Sequence, residues 1–114
     1  MRRDNDVLLT NQSMGASFVS PAIVLEHIQM AAIQMVWTGA APTGEFKIQG
    51  SCTPVQNNGV AQDWSDIAGS SINITAAGDA IINITDIGYD QMRLVYTRVS
   101  GTGTVNARFV VKGF

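Results

Sequence analysis

Few side chains in this 114-residue sequence have both the chemistry and the company to react. His27 is the only histidine. A Ser-His-Asp mechanism would need it as the base, yet no Gly-x-Ser-x-Gly elbow or comparable frame accompanies it. Cys52, the only cysteine, closes no intramolecular disulfide and supplies no zinc spacing. It follows Phe46, Ile48 and Gly50 in an alternating run, which predicts an inward position where a small thiol acts as a hydrophobe. A Cys52–His27 dyad is the one nucleophilic pairing on offer, and the structural reading of both residues outweighs it. Asp63, Asp66, Asp79, Asp86 and Asp90 fall near turns. Calcium gathers several such oxygens, but Asp favours turns by bonding its own backbone, and no loop packs three acids closely. Glycosidase chemistry needs two facing carboxylates in a cleft, which a domain this small hardly provides. The expectation is a protein that is not an enzyme and holds no metal or other cofactor.

Binding chemistry is better represented. Trp37 and Trp64 are the rings that could stack on a sugar. Trp37 alternates with Met35 and Ile33 and is expected inside, since large aromatics dominate the cores of small sandwiches. Trp64, flanked by Asp63 and Asp66, is the candidate glycan contact. Arg93, Arg108 and Lys112 fall on one side of the last two strands as these are read below. They form either a solvated basic stripe or a contact for an acidic neighbour. Val7, Leu8 and Leu9 interrupt a polar N-terminal stretch. Residues 1–13 are read as an arm able to reach a neighbour as an added strand, and 14–114 as a single domain.

The elements that would carry these residues are strands. Val, Ile and Thr far outnumber Leu and Glu, the reverse of what long helices want, because β-branched side chains lose rotamer freedom against the preceding turn. Gly, Asn and Asp punctuate the chain at the spacing of a sandwich or barrel. Phe46 to Cys52 and Ala31 to Trp37 alternate, and short strands are expected at Val7 to Leu9, Ala16 to Val19, Ala22 to Leu25 and Trp64 to Ile67. Pro21 to Val36 also admits a helix, with Ser20-Pro21 as its cap and Leu25, Ile28, Ala32 and Met35 on one stripe; the strand reading is preferred. Two hairpins are predicted. One joins Gln91–Val99 to Thr104–Lys112 through Ser100-Gly101-Thr102-Gly103, with Met92, Leu94, Tyr96, Ala107, Phe109 and Val111 on the core face. The other joins Ile72-Asn73-Ile74-Thr75 to Ile82-Asn83-Ile84-Thr85 through a loop ending at Gly78. The whole reads as an all-β antiparallel sandwich of jelly-roll type, with eight to ten short strands.

Composition narrows the partners. A net charge of −2 argues against a nucleic-acid binder. No run approaches the roughly 20 apolar residues of a membrane helix; the nearest, Ile28 to Trp37, is broken by Gln29 and Gln34. Nor does the start hold an apolar core of signal-peptide length. A soluble chain outside the secretory route is expected, with no membrane partner, so that the sequons at Asn11, Asn73 and Asn83 are chance. Charged residues make up 14% of the chain, against roughly 25% in average soluble domains. The sides of the sheets that water would meet are largely Ser, Thr, Asn, Gln, Ala and Val. Charge is depleted where surfaces become covered.

Five stretches carry a family likeness. They are Ser20-Pro21-Ala22-Ile23, Ile33-Gln34-Met35-Val36-Trp37-Thr38-Gly39, Gly44-Glu45-Phe46-Lys47-Ile48-Gln49-Gly50-Ser51, Trp64-Ser65-Asp66-Ile67 and the run from Arg93-Leu94-Val95-Tyr96-Thr97-Arg98 through Ser100-Gly101-Thr102-Gly103-Thr104. Over about residues 16 to 113 the chain resembles a family of small proteins of tailed bacteriophages that are taken for virion structural proteins. The resemblance implies a non-enzymatic subunit of a particle, made in the host cytoplasm. On the capsid it would be a decoration or cement protein; otherwise it would belong to the tail or fibre. Its partners would be copies of itself and the major capsid or tail proteins. A carbohydrate-binding module for host recognition, using Trp64, Asp63 and Asp66, is the alternative.

Overall fold

The computed structural model describes residues 3–25, 28–52, 63–85 and 87–113. The described residues form ten strand segments: β1 (Arg3–Ser13), β2 (Phe18–Val19), β3 (Ile23–Val24), β4 (Ile28–Thr38), β5 (Thr43–Ser51), β6 (Ser65–Asp66), β7 (Ile72–Ile74), β8 (Gly78–Ile84), β9 (Gln91–Ser100) and β10 (Thr104–Gly113). The helix alternative at Pro21 to Val36 is not taken up: β3 and β4 occupy it. Alternation explains the choice. In β4, Ala31, Ile33, Met35 and Trp37 are buried while Gln34 and Val36 face out, a two-residue period that no helix satisfies.

The segments lie in two antiparallel sheets. The front sheet runs β1-β10-β4-β8 and the back sheet runs β2-β9-β5-β6. Within the back sheet β3 also pairs with β9, and β7 also pairs with β5. Thus β2 and β3 are one interrupted strand, as are β6 and β7, and the order is that of a jelly roll. Each interruption is bridged by a buried serine. Ser20 lies between β2 and β3, before Pro21, which has no N–H to give a ladder; the Leu94 N–H donates to its hydroxyl at 2.8 Å. Ser70 lies between β6 and β7, where its hydroxyl accepts from the Ile48 N–H at 3.1 Å and donates to the Ile67 carbonyl at 2.7 Å.

Neither predicted hairpin forms. β9 lies in the back sheet and β10 in the front, where β10 pairs with β1 and β4. Likewise β7 pairs with β5, and β8 with β4, setting Ile82 opposite Ile33. Both turns are crossings between sheets. The periodicity had assigned faces correctly, for Met92, Leu94, Tyr96, Ala107 and Val111 are all buried, with Phe109 half-buried against them. A strand's face follows from its period, but its bonding partner does not. The crossing from β9 to β10 packs on the one from β4 to β5. Gly101 has φ +77°, and a Cβ there would run into the Ala41 carbonyl, as one at Gly103 would into that of Thr38.

The core fills the space between the sheets. Phe46 and Tyr96, neighbours in the back sheet, have ring centroids 4.8 Å apart, and Trp37 from the front sheet stands 5.4 Å from Phe46. Trp37 is structural, as expected: it is buried, and its indole N–H donates to the Ala76 carbonyl at 2.8 Å. Cys52 is not inside as predicted. β5 ends at Ser51, which is itself buried, so the alternation stops one residue early and leaves the thiol exposed. The segment read as an arm is laid against its own chain as β1, paired with β10 from Arg3↔Lys112 to Ser13↔Thr104.

Candidate functional site

Two surfaces bring candidate residues together, one on the outer side of each sheet. On the back sheet, alternation turns Glu45, Lys47 and Gln49 of β5 and Arg93 and Val95 of β9 outward. The register sets Arg93 beside Gln49 and Gln49 beside Asp66. Arg93 donates through Nε and Nη2 to Gln49 Oε1 at 2.9 and 2.7 Å. Gln49 Nε2 in turn donates to Asp66 Oδ1 at 2.9 Å, and Lys47 Nζ stands 3.2 Å from Asp66 Oδ2. The guanidinium of Arg93 lies over the Trp64 ring, 4.3 Å from its centroid, a cation–π contact. The hydrogen bond from Gln49, then that from Lys47, holds the Asp66 carboxyl below the usual carboxylate range.

Trp64 and Asp66, two of the candidate glycan contacts, thus lie in one row, linked through Arg93 and Gln49, with Asp63 exposed nearby in sequence. Lys47 and Gln49, which complete the row, were not singled out from the sequence. Their outward alternation with Phe46 and Ile48 was the available signal. Chemically, the row clamps the short β6 onto β5 and β9. It also offers an indole and a carboxylate to a polar ligand.

The outer side of the front sheet differs in character. One row across its four strands reads Val7, Arg108, Gln34, Ile81, and another includes Asn106, Val36 and Asp79. Val7 is 41% exposed, Val36 46% and Ile81 58%. Ala32 and Val110 are half-buried between them. Open depressions lie on either side of Arg108, one lined by Val7, Val36 and Asn106, the other by Ala32, Ile81 and Val110. Apolar side chains thus span all four strands with few charges among them.

The remaining candidates fall as follows. Of the Val7-Leu8-Leu9 trio only Val7 points out; Leu8 packs half-buried against the core and Leu9 is in it. The basic stripe is divided. Arg108 and Lys112 are exposed on the front sheet, whereas Arg93 is on the back, because β9 and β10 face each other across the core instead of pairing. His27 and Asp86 lie outside the described residues. Among the described residues, no three His, Cys, Asp or Glu side chains group to hold a metal ion, and no helix is long and apolar enough to cross a membrane.

No protein-family model and no curated protein matches the chain. Solved structures do. The SPBc2 prophage-derived protein YomS superposes with a TM-score of 0.54 at 15% identity, over 96% of this chain and 93% of its own. The likeness is one of fold. The CBM22-1-GH10 modules of Clostridium thermocellum xylanase 10B, solved with xylohexaose, match with a TM-score of 0.51 at 9% identity. That match covers 98% of this chain but 26% of the xylanase chain.

Proposed function

We propose that the protein is a non-enzymatic structural subunit of a tailed-phage particle, a decoration or cement protein of the capsid or a component of the tail or fibre. The observation that carries this reading is the outer side of the front sheet. Val7, Val36 and Ile81 stand exposed there, and Ala32 and Val110 lie half-buried among them. Exposed apolar groups of this kind, set on either side of Arg108 and Gln34, suit a surface that is covered by a partner. The cover is a larger protein shell or copies of the same chain. Attachment at many points gives strength without strong single contacts, and a subunit bound to the assembled shell stabilises it by mass action. The fold shared with a prophage-derived protein of similar extent suits that setting. Cryo-microscopy of intact particles tests it, with density for this chain on shell, tail or fibre as the expected result. Purified particles that lack the chain overturn the reading.

A second reading rests on the row at Trp64. An aromatic ring beside a carboxylate and an amide suits a sugar, whose faces stack and whose hydroxyls bond. The fold is shared with a chain that carries a carbohydrate-binding module. Glycan-array binding that is lost in Trp64→Ala supports this reading, and an array without signal removes it.

A further inference from the structure

The two edges of the front sheet are built differently. β1, at one edge, carries register shifts between Val7 and Leu9 and between Leu9 and Gln12, and Asn11 has φ +48°. Asp4 and Asp6 add charge. Bulges and charges are the devices that keep an edge from pairing with another chain. β8, at the opposite edge, has no bulge and a single charge, Asp79. Its pairing with β4 runs without a shift from Ala31↔Ile84 to Trp37↔Gly78. Gly78-Asp79-Ala80-Ile81-Ile82-Asn83-Ile84 contains one charge and no proline. Among the described residues nothing pairs with its outer side. A regular, Ile-rich edge with a single charge, left open, invites pairing with another chain.

We propose that β8 pairs antiparallel with β8 of a second copy, joining two front sheets into one across a two-fold axis. The strand sequence suits itself. Antiparallel pairing must keep inward residues opposite inward residues, and the midpoint of β8 is Ile81. A two-fold axis there sets Ile81 against Ile81 of the second copy, Ala80 against Ile82, and Asp79 against Asn83. No like charges meet, and the symmetry closes the assembly at two. The inward faces of Ile82 and Ile84, already buried, gain a neighbour where the core now ends at the sheet edge. On the outer side Ile81 meets Ile81 of the second copy at the seam, flanked on each side by Asp79 opposite Asn83. This names a partner within the assembly reading above and rests on it for its purpose, though not for its geometry.

Sedimentation equilibrium of the full chain tests the pairing. The expected result is a concentration-dependent dimer that Ile81→Lys converts to monomer by placing two ammonium groups on the axis. Asn83→Asp, at an exposed position, sets a new carboxylate against Asp79 twice per dimer and weakens association about tenfold. Adding Asp79→Lys to it turns both repulsive pairs into attractive ones and restores the dimer, a rescue that a merely structural role for these residues does not produce. A wild-type chain that stays monomeric at every concentration overturns the proposal, as does a dimer indifferent to Asn83→Asp. A dimer that fails to bind particles overturns the assembly reading and leaves the pairing standing; a monomer that binds them does the reverse.

Discussion

The two outer sides of the sandwich are made by the same two-residue alternation and end with opposite characters. On the back sheet the outward positions of β5, β6 and β9 are filled by Lys47, Gln49, Asp66 and Arg93, whose polar groups bond one another across the strands. On the front sheet the corresponding positions of β4, β8 and β10 include Ala32, Val36, Ile81 and Val110, whose apolar side chains are exposed or half-buried. The polar groups of one side satisfy one another, and the other side leaves apolar side chains exposed. The fold does not force this difference, since either sheet of an antiparallel sandwich can face water. The difference lies in which residues occupy otherwise equivalent outward sites.

The comparison breaks most sharply at Val36. Val36→Lys places a charge in the middle of the apolar side, opposite Asp79 in β8, where the strand pair tolerates it. Taking the added ammonium out of water under a cover costs a few kcal/mol even with Asp79 beside it, so co-sedimentation with phage particles should fall by about a hundredfold with the melting temperature unchanged. Equal binding by wild type and variant would make the two sides alike. On the back sheet the largest effect belongs to Gln49→Ala, which removes the link between Arg93 and Asp66. Urea unfolding should show a loss of about 1 kcal/mol, with particle binding untouched. Loss of binding there would assign attachment to the wrong side.

The next effect is on the pH profile. The folded pKa of Asp66 is depressed, so the unfolded chain binds the proton more readily and this stabilisation is complete above the ordinary carboxylate pKa. It fades as pH falls through the lower folded value. Asp66→Asn should flatten the acid limb of the stability curve, and an unchanged limb would show that the row does not hold the carboxylate. Smallest is Lys47→Ala, whose ion pair to the half-exposed Asp66 is screened by water and salt. Its effect on stability should vanish in high salt.

Much of this architecture was legible in the sequence. The runs at Ala31 to Trp37, Phe46 to Gly50 and Met92 to Tyr96 alternate cleanly, and their inward residues are the core. The sandwich and its strand number followed from the same signal. Pairing did not, because Ser100-Gly101-Thr102-Gly103 and the loop before Gly78 are equally good at turning a hairpin and at crossing between sheets. That single error carried Arg93 onto the wrong side, beside Arg108 and Lys112. The row at Trp64 was half visible: Asp66 lay in plain sequence proximity, whereas Gln49 and Arg93 join it only through the register of three strands. Cys52 was misplaced because periodicity holds no mark for the residue at which a strand ends.

The hydroxyls of Ser20 and Ser70 have a consequence for solubility. They fill the breaks that cut each margin of the back sheet into lengths of two or three residues, too short to template a fibril. A concentrated stock of this protein is thereby shielded against amyloid growth through that layer.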